Sequence, residues 1–125
     1  MSGFSPVHKI AIDEYRAELH FAIGGFWTLE KMHSFLGELT KAAAPFLKSR
    51  KRFRVLGDLR DFVPQDRSTA EAIRNSLLEA QKNGLTRFAL VSTAPLVKLQ
   101  YKRITDGLDV EFFDSPREAE MWLRQ

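Results

Sequence analysis

The 125-residue chain is 44% apolar and 28% charged, the balance of a folded globular protein rather than a disordered one, and its length fits one domain spanning residues 1–125. It has no cysteine, which excludes disulfides, thiolate nucleophiles and cysteine-ligated zinc or iron–sulfur centres. The net charge is +3, and the opening MSGFSPVHKIAIDEYR lacks a basic segment followed by an unbroken apolar run, so no secretory signal, no membrane span and a cytoplasmic location are expected.

His8 to Asp13 and Arg16 to Ile23 both alternate apolar and polar residues, with Ile10 and Ile12 in the first and Ala17, Leu19, Phe21 and Ile23 in the second. Two such runs around Glu14-Tyr15 predict a β-hairpin, broken by Gly24-Gly25. Thr28 can cap a helix whose stripe is Leu29, Met32, Phe35, Leu36, Leu39 and Ala43, ended or kinked by Pro45 near Ala43-Ala44. A short inner strand over Phe53 to Asp58 follows. The next helix runs from about Ser68 to Asn83, with Gly84 as its stop. Arg87 to Val91 is a buried strand, Thr93 and Pro95 open a helix that Gly107 closes, and Val110 to Phe113 is the last strand. Ser115-Pro116-Arg117-Glu118 is a capping box, and Ala119, Trp122 and Leu123 share one face of the final helix.

The order β-β-α-β-α-β-α-β-α predicts an α/β fold: a single mixed, mostly parallel five-stranded sheet with four helices and an antiparallel hairpin strand at one edge. This order resembles the STAS domain of anti-sigma-factor antagonists, and more closely its SpoIIAA-like branch. The residues that carry the resemblance are Gly25-Phe26-Trp27-Thr28, Asp58-Leu59-Arg60-Asp61-Phe62 and Phe113-Asp114 with Glu118-Ala119 and Trp122-Leu123. It covers nearly the whole chain.

The resemblance implies a non-enzymatic regulatory or protein-interaction domain in bacteria. Antagonist-type STAS domains carry an aspartate here, matched by Asp58, and then a phosphorylatable serine, where this chain has Leu59. The first hydroxyls come at Ser68 and Thr69. These read as N-caps of the second helix, or as phosphorylation sites where a phosphate would meet free backbone N–H groups beside Arg67. The stretch Asp58, Arg60, Asp61, Phe62, Arg67 is expected to form an interaction loop past a strand end, its charges paired with one another.

Phe26 and Trp27 are read as walls of a ligand pocket or as a hydrophobic staple. The alternative function is accordingly binding of a small ligand, a lipid or an anionic metabolite, for which the SpoIIAA-like resemblance to the CRAL-TRIO fold also speaks. A continuous apolar cavity of a few hundred cubic ångström would favour this reading over partner docking. No cofactor is expected. His8, His20 and His33 fall in different elements without metal-binding spacing, so no metal is expected either.

Lys48, Arg50, Lys51, Arg52 and Arg54 crowd into KSRKRFR. No aromatic platform or DNA-binding helix pair accompanies them, so no specific nucleic acid is expected. A solvated loop, an edge that repels strand pairing, an acidic partner and anionic lipid headgroups all remain open for this stretch. A homodimer is equally open.

Overall fold

Among residues 5–125, which the computed structural model describes, five strands and five helices follow one another: β1 Val7–Asp13, β2 Glu18–Gly25, α1 Leu29–Ala42, α2 Ala44–Ser49, β3 Phe53–Phe62, α3 Arg67–Lys82, β4 Leu85–Val91, α4 Pro95–Ile104, β5 Val110–Phe113 and α5 Pro116–Leu123. The sheet order is β1-β2-β3-β4-β5, with β1 antiparallel to β2 and every other pair parallel. The mixed five-stranded sheet is thus the one expected from sequence.

Because successive parallel strands step in one direction and crossovers keep one hand, the crossover helices collect on one face. Met32 and Phe35 of α1, Phe46 of α2, Ile73 of α3, and Val97, Tyr101 and Ile104 of α4 join Leu19, Phe21, Ile23, Val55, Leu59, Phe88 and Leu90 in the main core. The opposite face holds a smaller cluster of Leu56, Ala89 and Val91 under Ala119 and Leu123 of α5.

Three arginine-based contacts dock α5. Arg54 donates to the Leu123 carbonyl and Arg87 to that of Trp122, both at 2.8 Å, and the Arg87 guanidinium lies 4.9 Å from the Trp122 ring centre. Arg124 grips both carboxylate oxygens of Glu18 at 3.0 Å, and His20 reaches the same carboxylate at 3.0 Å. Glu18 is fully buried. Burial alone would lift its pKa, but the hydrogen bonds and charges of Arg124 and His20 outweigh it and hold the carboxyl below its ordinary value.

Three expectations need correction. There are five helices, not four: Pro45 does end α1, but it also sits at the start of α2, whose Phe46 stacks on Phe53 with ring centres 5.5 Å apart. Strand β3 runs on through Phe62, so Asp58 to Phe62 is strand and the connection to α3 is only Val63 to Asp66. Finally, α3 begins at Arg67 with Asp66 as its N-cap, which places Ser68 and Thr69 inside the first turn rather than at the cap. By contrast Thr28 and Ser115 do cap: their hydroxyls accept the N–H of Lys31 at 3.2 Å and of Glu118 at 3.3 Å.

Candidate functional site

In parallel sheets the carboxyl margin of the strands is where loops and helix N-termini converge, and here it carries most of the residues singled out by sequence. Ala22 pairs with Asp58 but Gly24 with Asp61, two steps on β2 against three on β3. This bulge turns Asp61 to the same face as Asp58. Gly24 has to be glycine there, since a Cβ would lie 2.9 Å from that of Asp61 and 3.0 Å from the Val7 side chain.

Arg60 closes on Asp58 in a fork, Nε to Oδ1 at 2.9 Å and Nη2 to Oδ2 at 2.7 Å. Partial burial pushes the Asp58 carboxyl up, yet the Arg60 hydrogen bonds, with a smaller pull from Lys9, hold it below its ordinary value. With Lys9 and Val7 these residues line a polar groove of about 320 Å³.

The other two members of the expected interaction loop go elsewhere. Phe62 is buried, edge-on to Tyr101 at 6.1 Å. Arg67 pairs with Glu71 at 3.3 Å and is exposed. Asp58 lies two residues beyond Leu56, on the α5 face, whereas α3 packs on the other. The carboxylates and the start of α3 therefore share a margin but not a face. Ser68 is exposed, while Thr69 is fully buried and its Oγ1 has no hydrogen-bond partner among the described residues.

The organiser of this margin is Gln65, which sequence reasoning missed. Its side-chain carbonyl accepts the Trp27 N–H at 2.8 Å, and its amide donates to the carbonyls of Gly25 at 3.1 Å and Val63 at 2.6 Å. Its backbone exchanges two bonds with the Gln100 side chain, at 2.9 and 2.8 Å. Through its side chain and its backbone, this one buried residue thus ties the loop after β2, the loop after β3 and helix α4 together. Two glutamines 35 residues apart give no local cue. Around this clamp Phe26, Leu29, Leu96 and Leu99 are exposed.

A larger space than that groove lies away from the margin. A cavity of about 530 Å³ separates α1 and α3 over the sheet. Its floor is Phe21, Phe53 and Phe88, each nearly closed to water, and its walls include Leu36, Leu39 and Leu77, which are half-buried. Gly37 of α1 stands at the slot between the helices, where a Cβ would meet nothing within 4 Å. Neither expected pocket aromatic lines it: Trp27 is core, 5.3 Å from the cavity residue Phe35 and bonded through Nε1 to the Gly24 carbonyl, and Phe26 faces outward. The periodic stripe of α1 held the signal, because Gly37 interrupts a strong helix at no packing advantage.

No family model and no curated protein matches the chain. Among solved structures, it is similar to the crystal structure of an uncharacterized protein of the DUF3478 family with a SpoIIAA-like fold, from Shewanella loihica PV-4. The two share a TM-score of 0.72 and 21% identity, with 98% of each chain covered. The chain has a SpoIIAA-like fold, as the resemblance in its residues implied.

Proposed function

We propose that this protein is a non-enzymatic regulatory domain of the STAS type that acts by binding, and that a small apolar molecule held between α1 and α3 is its ligand. The observation that carries this reading is the 530 Å³ cavity, a volume within the roughly 300–1,000 Å³ of small-molecule sites. Its floor and inner walls are aromatic and aliphatic, and among the described residues Glu79 is the one in its lining that carries a formal charge. No lysine or arginine contributes to that lining, so an apolar molecule fits it better than an anionic metabolite. Titration with an environment-sensitive apolar dye tests the reading. Saturable binding is expected, displaceable by medium-chain alkanols and weakened by Gly37→Trp, which would cover the slot. Absence of saturable binding, together with no apolar molecule in native mass spectra of the purified protein, would sink it.

A second reading, docking of a protein partner at the carboxyl margin, is favoured by the Gln65 clamp and the exposed Phe26, Leu29, Leu96 and Leu99 around it. Ser68 is exposed there, in the first turn of α3, so a phosphate on it would change the charge of this surface. A partner captured from the source cells should be lost with Leu96→Glu. One retained by that variant and by Phe26→Ala removes the second reading.

A further inference from the structure

The basic stretch leads into β3, the middle strand of the sheet, so it protects no edge. Of its five cations, Arg54 is consumed internally, donating to the carbonyls of Leu123 and Arg16 at 2.8 and 2.7 Å. Lys48, Arg50, Lys51 and Arg52 are exposed, and so are Lys41 at the end of α1 and Lys82 at the end of α3. None of these six makes an ion pair among the described residues; the exposed Lys9, Lys31, Lys102, Arg103 and Arg117 make none either, so it is their gathering that sets the six apart. They gather at one corner, since the Phe53 N–H donates to the Gly84 carbonyl at 3.0 Å and a Cβ on Gly84 would lie 3.0 Å from the Lys51 carbonyl oxygen.

Lys41, Lys48 and Lys82 also complement helix C-termini, an ordinary structural role. Arg50 to Arg52 lie outside every helix. Arg50 even occupies a left-handed conformation, φ 55°, that glycine would adopt with less strain. The corner also adjoins the cavity: the lining residues Leu47, Phe53 and Asn83 are the chain neighbours of Lys48, Arg52 and Lys82.

We infer that this corner is a docking surface for an anionic lipid bilayer, which sets the end of the cavity against the membrane from which an apolar ligand would partition. A cluster of cations that form no ion pair among the described residues fits the surface potential of acidic headgroups, each contributing roughly fivefold in partitioning. The choice of a bilayer over other polyanions rests on the ligand-holding reading of the cavity; the charge of the corner does not.

The test is co-sedimentation of the intact protein with vesicles of phosphatidylcholine alone and of equal parts phosphatidylcholine and phosphatidylglycerol. Binding to the anionic vesicles alone, weakening as salt rises, is expected. The variant Arg50→Gly with Lys51→Ala and Arg52→Ala should bind about a hundredfold less well. Arg50→Gly by itself should raise the unfolding midpoint while weakening vesicle binding, which separates the surface from the fold. The inference is overturned by wild-type protein that stays in the supernatant at low salt, by a triple variant that binds as wild type, or by duplex DNA that strips the protein from vesicles at equal phosphate. Gly37→Trp should sediment unchanged, so vesicle binding without dye binding would remove the cavity reading and leave the docking surface standing.

Discussion

Replacing Gln65 by alanine tests whether the carboxyl margin is one rigid unit. The substitution removes three side-chain hydrogen bonds and strands the Trp27 N–H and the Gly25 carbonyl in a region where Gln65 itself is only 7% exposed. A buried group left without its partner costs about 1–3 kcal/mol, and two such groups, offset by about 1 kcal/mol of glutamine side-chain entropy returned, give a loss of about 3 kcal/mol. For a chain of this length that is a fall of about 10 °C in Tm. Urea unfolding followed by tryptophan fluorescence measures it, and hydrogen exchange at the Trp27 amide reports the local opening.

Gln65→Glu is the sharper control. It keeps an acceptor for the Trp27 N–H but sets a carboxylate against the carbonyls of Gly25 and Val63. Burial and those carbonyls would raise the folded-state pKa of the introduced carboxyl above its unfolded value, so the variant's deficit should be larger at pH 7 than at pH 4. A loss below about 1 kcal/mol for Gln65→Ala would refute the clamp, because the stranded groups would then be finding other partners.

Glu18 should make stability pH-dependent. Its folded pKa lies below the ordinary 4.5, so its contribution is fully present above that value and disappears as pH falls through the folded one; Glu18→Gln should cost about 3 kcal/mol at neutral pH and flatten the acid limb of a urea-midpoint profile. Gly37→Ala should stabilise by about 0.5–1 kcal/mol in thermal unfolding, because the methyl meets open space and the helix gains propensity. Thr69→Val should leave stability unchanged or raise it by about 1 kcal/mol, since it deletes a buried hydroxyl without a partner. Ser68→Asp should add about 0.5 kcal/mol in the first turn of α3, which holds no acid beyond the N-cap Asp66, whereas Thr69→Asp should lose several kcal/mol by burying a charge.

The strands and the longer helices were readable because their signals are local. Period-two runs mark β1 and β2, and the hydroxyls of Thr28 and Ser115 mark α1 and α5 where the backbone bonds confirm them. Helix α2 escaped because six residues have too little propensity of their own and depend on Phe46 packing against Phe53. The tail of β3 read as loop because charges in a strand look like solvent, whereas Asp58 and Arg60 neutralise each other on a part of the sheet without a covering helix. A nearby hydroxyl pair drew attention from Asp66, which holds the N-cap position without a side-chain bond to the helix. Of the carboxyl margin, the acidic pair was visible and the glutamine clamp was not, since Gln65 works through residues 25, 27 and 100, which no window of sequence brings together. The cavity is a gap between two stripes that each look like ordinary core, and Gly37 within the α1 stripe was its one local mark.

The grip of Arg124 on Glu18 spans 106 positions of sequence. During synthesis β2 and its carboxylate exist long before the counter-ion that lets them be sealed from water. An intermediate with the first face packed but α5 undocked has to keep that carboxylate hydrated or protonated. Docking of α5 is therefore selective for register, because a helix seated one turn out would entomb an unmatched charge.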